Sequence, residues 1–164
     1  MREAIPRELV SLVPEIDFDA GYRYFVGNID NYLSALMSTL KSIKSKLSIL
    51  QYMRQSDEYE GLRIITQKLR VMFSNIGALS LGEASYQIEA VLLNGNILKI
   101  REKLTEYLES LENLTEHLEL FFQKVDVKSM TRKKEGSATF LNYDFTKTKE
   151  SIKLSSDYIS RKII

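Results

Sequence analysis

His117 is the only histidine in the chain, so any chemistry that needs an imidazole would have to use it. It stands beside Glu116 on a segment where Glu102, Glu106, Glu109, Glu112, Glu116 and Glu119 recur. Paired-carboxylate or metal chemistry on helices needs acids that face inward, as in Glu-x-x-His motifs repeated on two helices. The residue three before His117 is Leu114, so that motif fails. With no second histidine and no cysteine there is no ordinary metal-ligand set and no thiolate nucleophile. A Gly-rich phosphate loop, a Ser-His-Asp set and a nucleotide fingerprint are all lacking. We read His117 as a plain surface residue, and expect a chain that is no enzyme and takes no metal or cofactor.

More organised is the run from Ile64 to Ala78, Ile-Ile-Thr-Gln-Lys-Leu-Arg-Val-Met-Phe-Ser-Asn-Ile-Gly-Ala. On a 3.6-residue period Leu62, Ile65, Leu69, Phe73 and Ile76 share one side, the stripe that a packed helix buries. Arg63, Gln67, Arg70 and Ser74 share the other, which is expected to face water.

This run resembles the signature helix of histidine-containing phosphotransfer (HPt) domains, relay modules of two-component signalling with the pattern His-x-Leu-Lys-Gly followed by Ile-Gly-Ala. With Ile76-Gly77-Ala78 as the anchor, Leu69 matches the family leucine, Arg70 its lysine and Val71 its small residue. Gln67 falls where the family has its phospho-accepting histidine. A relay needs a nucleophilic nitrogen that takes and returns a phosphoryl group, whereas the amide of Gln67 offers hydrogen bonds alone. The resemblance therefore implies a pseudo-HPt module. It covers roughly Ile16 to Val125, and the stretch Pro14-Glu15-Ile16-Asp17, with Gly21 further on, resembles the entry of many HPt domains, where a short helix covers one end of the bundle.

The resemblance also implies a docking face for a response-regulator receiver domain or a histidine kinase, made of Arg63, Ile64, Gln67, Lys68, Arg70, Val71 and Ser74. Ile64 and Val71 flank Gln67 one turn away on each side and could form an apolar ring for a partner. The plain alternative is ordinary surface scatter. Arg70 keeps the positive charge of the family lysine, which would attract a phosphoryl group or an acidic pocket; otherwise it is a solvated arginine paired with a helix neighbour. Val71 is β-branched where the family keeps a small residue, and should hinder close approach.

The elements that position this run are helices. Ile29, Leu33, Leu36, Leu40, Ile43, Leu47 and Leu50 step alternately by four and three, the seam of left-handed bundle packing, and predict one helix from about Ile29 to about Gln55. Before it, Arg7 to Val13 predicts a short helix stopped by Pro14. Asp17 caps a second that carries Tyr22, Tyr24, Phe25 and Val26 and ends at Gly27-Asn28. Ser56-Asp57-Glu58 makes the next turn and cap, and Gly77 ends the Gln67 helix. A helix from about Leu79 to about Leu93 buries Leu81, Ala84, Ile88 and Val91, and its small Gly82, Ala84 and Ser85 let it sit close to the Gln67 helix. After Asn94-Gly95-Asn96 the last helix runs from about Ile97 to Val125, with Ile100, Leu104, Leu108, Leu111, Leu118, Phe121, Phe122 and Val125 inward. Short turns between four long segments predict an all-α, antiparallel up-down-up-down four-helix bundle with N-terminal capping helices.

At 164 residues the chain is long enough for one ordinary core. Residues 1–126 are expected to form the bundle and 127–164 an extension, with Lys128 to Ser137 as linker. Lys128 to Ile164 holds nine Lys+Arg against four Asp+Glu, and the part before it 14 against 18. The extension, with Lys133, Lys134, Phe140, Tyr143 and Phe145, reads as a linker or packed strap, or else as an arm that grips an acidic partner. The net charge of +1 and the lack of a dense basic face argue against nucleic acid. No apolar run approaches the roughly 18 residues that span a bilayer, and Met1 to Glu8 lacks a signal-peptide core. The expected location is the cytoplasm, away from membranes. The expected function is a pseudo-HPt module that binds without carrying phosphate, and the alternative is self-association or assembly through the Ile29–Leu50 helix and the extension.

Overall fold

The computed structural model describes residues 5–133, and side chains to Val125. Among the described residues the chain is all-helical, with six helices and no strand. They are α1 (Arg7–Val10), α2 (Phe18–Tyr24), α3 (Ile29–Ser56), α4 (Leu62–Ile76), α5 (Leu79–Asn94) and α6 (Ile97–Lys133).

The capping chemistry sets most of these bounds. The Asp17 carboxylate accepts from the Ala20 backbone N–H (3.0 Å) at the start of α2, and Asn28 accepts from that of Asn31 (3.0 Å) at the start of α3. Asn28 thus opens a helix, where the sequence reading had it closing one. At the end of α4, Gly77 takes φ +88°, and the N–H groups of Ala78 and Gly77 donate to the carbonyls of Phe73 and Ser74 (2.8 and 3.4 Å). This Schellman arrangement satisfies two of the last carbonyls and turns the chain at once into α5. Ahead of α4 the turn runs to Gly61 (φ +82°), which contributes no side-chain cap. The Ser56-Asp57-Glu58 cap expected there belongs to α3 instead, where Asp57 is the left-handed terminal residue.

α3 packs against α4 and α6, and α5 packs against α4 and α6. Leu33, Leu36, Leu40, Ile43 and Leu50 of the α3 seam are all buried, as are Ile100, Leu104, Leu108, Leu111, Leu118, Phe121, Phe122 and Val125 of α6. Ile29 and Leu47 of the same seam are half-buried and pack against this core. Gln51 Nε2 donates to Glu112 (3.2 Å) and Lys44 pairs with Glu119. Moving back along α3 moves forward along α6, so these two helices are antiparallel.

α6 continues through the first six residues of the expected linker and is described as far as Lys133, eight residues beyond Val125. The rest of the extension, with Lys134, Phe140, Tyr143 and Phe145, lies outside the described residues.

Candidate functional site

The exposed surface of α4 is divided by its neighbour. Gly82 brings α5 close: a Cβ there would lie 3.5 Å from Ser74 Oγ and 4.0 Å from the Arg70 carbonyl. The small residues of α5 were expected to permit this approach, and Gly82 does so. α5 therefore meets α4 beside Arg70 and Ser74, with Ser74 still exposed, and leaves open the strip that carries Ile64, Lys68 and Val71.

The seven residues expected on a docking face accordingly part company. Arg63, Ile64, Lys68, Val71 and Ser74 are exposed, with Ile64 at 71% and Val71 at 57%. Gln67 and Arg70 are only partly exposed. This corrects the expectation that Gln67 simply faces water. Thr66, unremarked in the sequence, is fully buried, and its hydroxyl donates back to the Leu62 carbonyl (3.0 Å), which makes its burial compatible with a helix interior.

Arg70 is turned towards α5. Its Nε lies 3.6 Å from Glu89 Oε1, and its guanidinium sits 5.7 Å from the centre of the Tyr86 ring. The Glu89 side chain is 12% exposed, against 37% for Arg70. Glu89 Oε1 is buried and has no hydrogen-bond partner, since 3.6 Å is too long for one. What Arg70 supplies to Glu89 is therefore Coulombic attraction rather than a hydrogen bond, and it is stronger beside a little-exposed carboxylate than in an ion pair in open solvent. Arg70 therefore belongs to the α4–α5 contact. Arg63 and Lys68 are exposed with no ion pair among the described residues, Lys68 on the open strip and Arg63 at its border next to Ile64.

The glycine of Ile76-Gly77-Ala78 has a structural task. The Asp17 N–H donates to the Gly77 carbonyl (2.9 Å), and the Tyr32 hydroxyl donates to the Ile76 carbonyl (2.9 Å). A Cβ at Gly77 would collide with the Asp17 carbonyl, and one at Gly21 with the Ile76 carbonyl and the Tyr32 ring. This triplet is the joint at which α2 docks on the end of α4.

His117 is not a plain surface residue. Its Nδ1 lies 2.6 Å from Glu15 Oε1, and this pair ties the segment between α1 and α2 to α6. Glu15 Oε2 is buried without a hydrogen-bond partner. Nothing in the local sequence signals the pair, because its members are 102 residues apart. Among the described residues no group of three or more His, Asp or Glu side chains could hold a metal ion, and no helix is long and apolar enough to cross a membrane.

A scan against protein-family models, a search of curated proteins and a search of solved structures each find no match.

Proposed function

We propose that the chain is a pseudo-HPt docking module of a two-component phosphorelay, which binds a receiver domain, or a histidine kinase, through the open strip of α4 without accepting phosphate. Its four long helices α3 to α6 form an up-down-up-down bundle. The antiparallel α3–α6 contacts, and the pairing of α4 with α5 and of α5 with α6, support that arrangement. The observation that carries the functional reading is the exposure of Ile64 and Val71, at 71% and 57%, one turn to either side of Gln67. Two aliphatic side chains held in water beside the free cations Arg63 and Lys68 suit a partner with an apolar rim and an acidic pocket. Gln67, with no nucleophilic nitrogen, leaves such a partner bound but unmodified.

Titration calorimetry of the full chain with receiver domains, each with and without beryllofluoride as an aspartyl-phosphate mimic, tests this. Saturable binding that weakens at least tenfold in Ile64→Ala supports docking at α4. Lack of binding to every receiver tried, by a folded protein, removes the proposal and leaves assembly as the function to pursue.

A further inference from the structure

We infer that Arg70 is withheld from the docking strip by Glu89 and Tyr86, so that the module engages an acidic partner without distinguishing its phosphorylated from its unphosphorylated state. This rests on the docking function proposed above and adds to it what the site ignores.

A phosphoryl group is recognised by donors that can turn towards it, above all a guanidinium presenting two parallel N–H groups. Arg70 is the arginine nearest to Gln67 on that flank, and it is already engaged. Its Nε faces Glu89 Oε1 at 3.6 Å, its planar group lies over Tyr86, and that one carboxylate oxygen is buried with no hydrogen-bond donor. A phosphoryl group that drew Arg70 outward would strand that carboxylate in a buried position, an opposition that grows with the burial of Glu89. Arg63 and Lys68 are exposed and carry no such tie among the described residues. The Lys68 ammonium is a point charge, and the exposed Arg63 guanidinium, held by no ion pair among the described residues, is not fixed in place for bidentate capture, so both act mainly by attracting negative charge at long range. Gly82 makes the lock possible, because the close approach of α5 at Ser74 and Arg70 brings Tyr86 and Glu89 within reach one and two turns further along.

Two measurements test the inference. In the first, 15N-edited NMR follows the Arg70 Nε–H of the wild-type chain during titration with inorganic phosphate to tens of millimolar. An Arg70 signal that stays unshifted, while Glu89→Gln gives a saturable shift, is the expected result. A saturable shift in the wild type overturns the inference whatever the fate of the docking proposal, and so does an unshifted signal in a folded Glu89→Gln. In the second, a receiver domain that binds by calorimetry is compared with and without beryllofluoride. Affinities of the wild-type chain that agree within twofold are expected, with a preference of fivefold or more for the beryllofluoride form appearing in Glu89→Gln. A fivefold preference already present in the wild type and lost in Arg70→Gln overturns the inference while leaving docking intact. Should no receiver bind, docking fails and the phosphate titration still decides the state of Arg70. Circular dichroism confirms that each variant is folded, and the wild-type titration needs no variant.

Discussion

The Tyr32 hydroxyl on α3 donates a 2.9 Å hydrogen bond to the carbonyl of Ile76, the last residue of α4. Three helices meet at this bond, because Gly21 of α2 lies against both groups with no room for a side chain. Phe18, Tyr22 and Phe25 pack their rings around Tyr32, with centroids 6.0, 6.5 and 5.8 Å away. The short α2, too brief to be stable alone, is thus held by the aromatic cluster and by the turn at Gly77.

Breaking that bond should loosen α2 first. Tyr32→Phe keeps the ring and leaves a buried carbonyl short of a donor, which lowers the unfolding free energy by about 1–2 kcal/mol in urea denaturation. Gly21→Ala should cost more, since the added methyl displaces α2 from the Ile76 carbonyl. Faster proteolytic cleavage between Tyr24 and Asn28 in that variant, with the long helices still protected, is the expected sign.

Local signals in the sequence carried over well where one helix answers to its own residues. The alternating steps of four and three gave α3 to within a residue of its end, and Gly77 and Gly95 both take the left-handed conformation expected of helix ends. What periodicity does not contain is the identity of the neighbour on each flank. Gln67 lies opposite the buried stripe of α4, yet it is only partly exposed, and Arg70, on the same side by periodicity, is turned towards α5. For the same reason Arg70 pairs with Glu89, Asp57 with Arg101 and Glu15 with His117, partners that only packing brings together. The reach of α6 answers to a different signal: the charge changes near Asp126, but no glycine or proline interrupts the chain before Gly136, and the helix runs through Lys133.

At the turn between α3 and α4, Asp57 accepts hydrogen bonds from Arg101 Nε (3.0 Å) and from the Tyr59 hydroxyl (2.7 Å). The Arg101 bond is the larger influence and the Tyr59 bond the next, and together they hold its carboxyl below the ordinary value. A depressed folded-state pKa gives stability that is present above the unfolded value of about 3.9 and is lost as pH falls below it. Unfolding midpoints of the wild type should therefore drop more steeply between about pH 5 and pH 2 than those of Asp57→Asn. Asparagine is the apt replacement because it tolerates the φ of +56° at this position.

Tyr32 and Tyr107 respond at the opposite end of the pH scale. Burial raises the pKa of both phenols, aided by Asp17 and Asp19 at Tyr32 and by Glu89 at Tyr107, while the Ser85 hydrogen bond at Tyr107 pulls the other way. Their stabilising contribution is complete below the unfolded value of about 10 and declines as pH rises above it, because the unfolded chain loses its protons first. Alkaline unfolding followed by circular dichroism should begin above about pH 10, and Tyr107→Phe should flatten that limb even though it sacrifices the 2.7 Å bond to Ser85.

The Glu15–His117 contact should matter more than its position at the surface suggests. His117→Ala leaves Glu15 with one oxygen buried and unpartnered and the other without its 2.6 Å neighbour. A loss of about 1–2 kcal/mol is expected, accompanied by faster amide exchange around α1. Recovery in His117→Ala combined with Glu15→Leu, which removes the stranded carboxylate, would separate desolvation from lost packing; a double variant as unstable as the single one would assign the loss to packing.

The open strip of α4 should behave as a binding surface that folding does not need. Ile64 and Val71 are 71% and 57% exposed, so replacing both with serine should leave the unfolding free energy within about 0.5 kcal/mol. The same double variant should weaken binding to a receiver domain at least tenfold, mainly through faster dissociation, because apolar contacts in an interface act on the lifetime of the complex. Reversing Arg63 and Lys68 to glutamate should act chiefly on the association rate and should erase its dependence on salt. As a control, reversing the exposed Glu102 and Glu109 of α6 should change neither rate. A strip variant that unfolds the protein, or a control that weakens binding as much as the strip variants do, would move the interface away from α4.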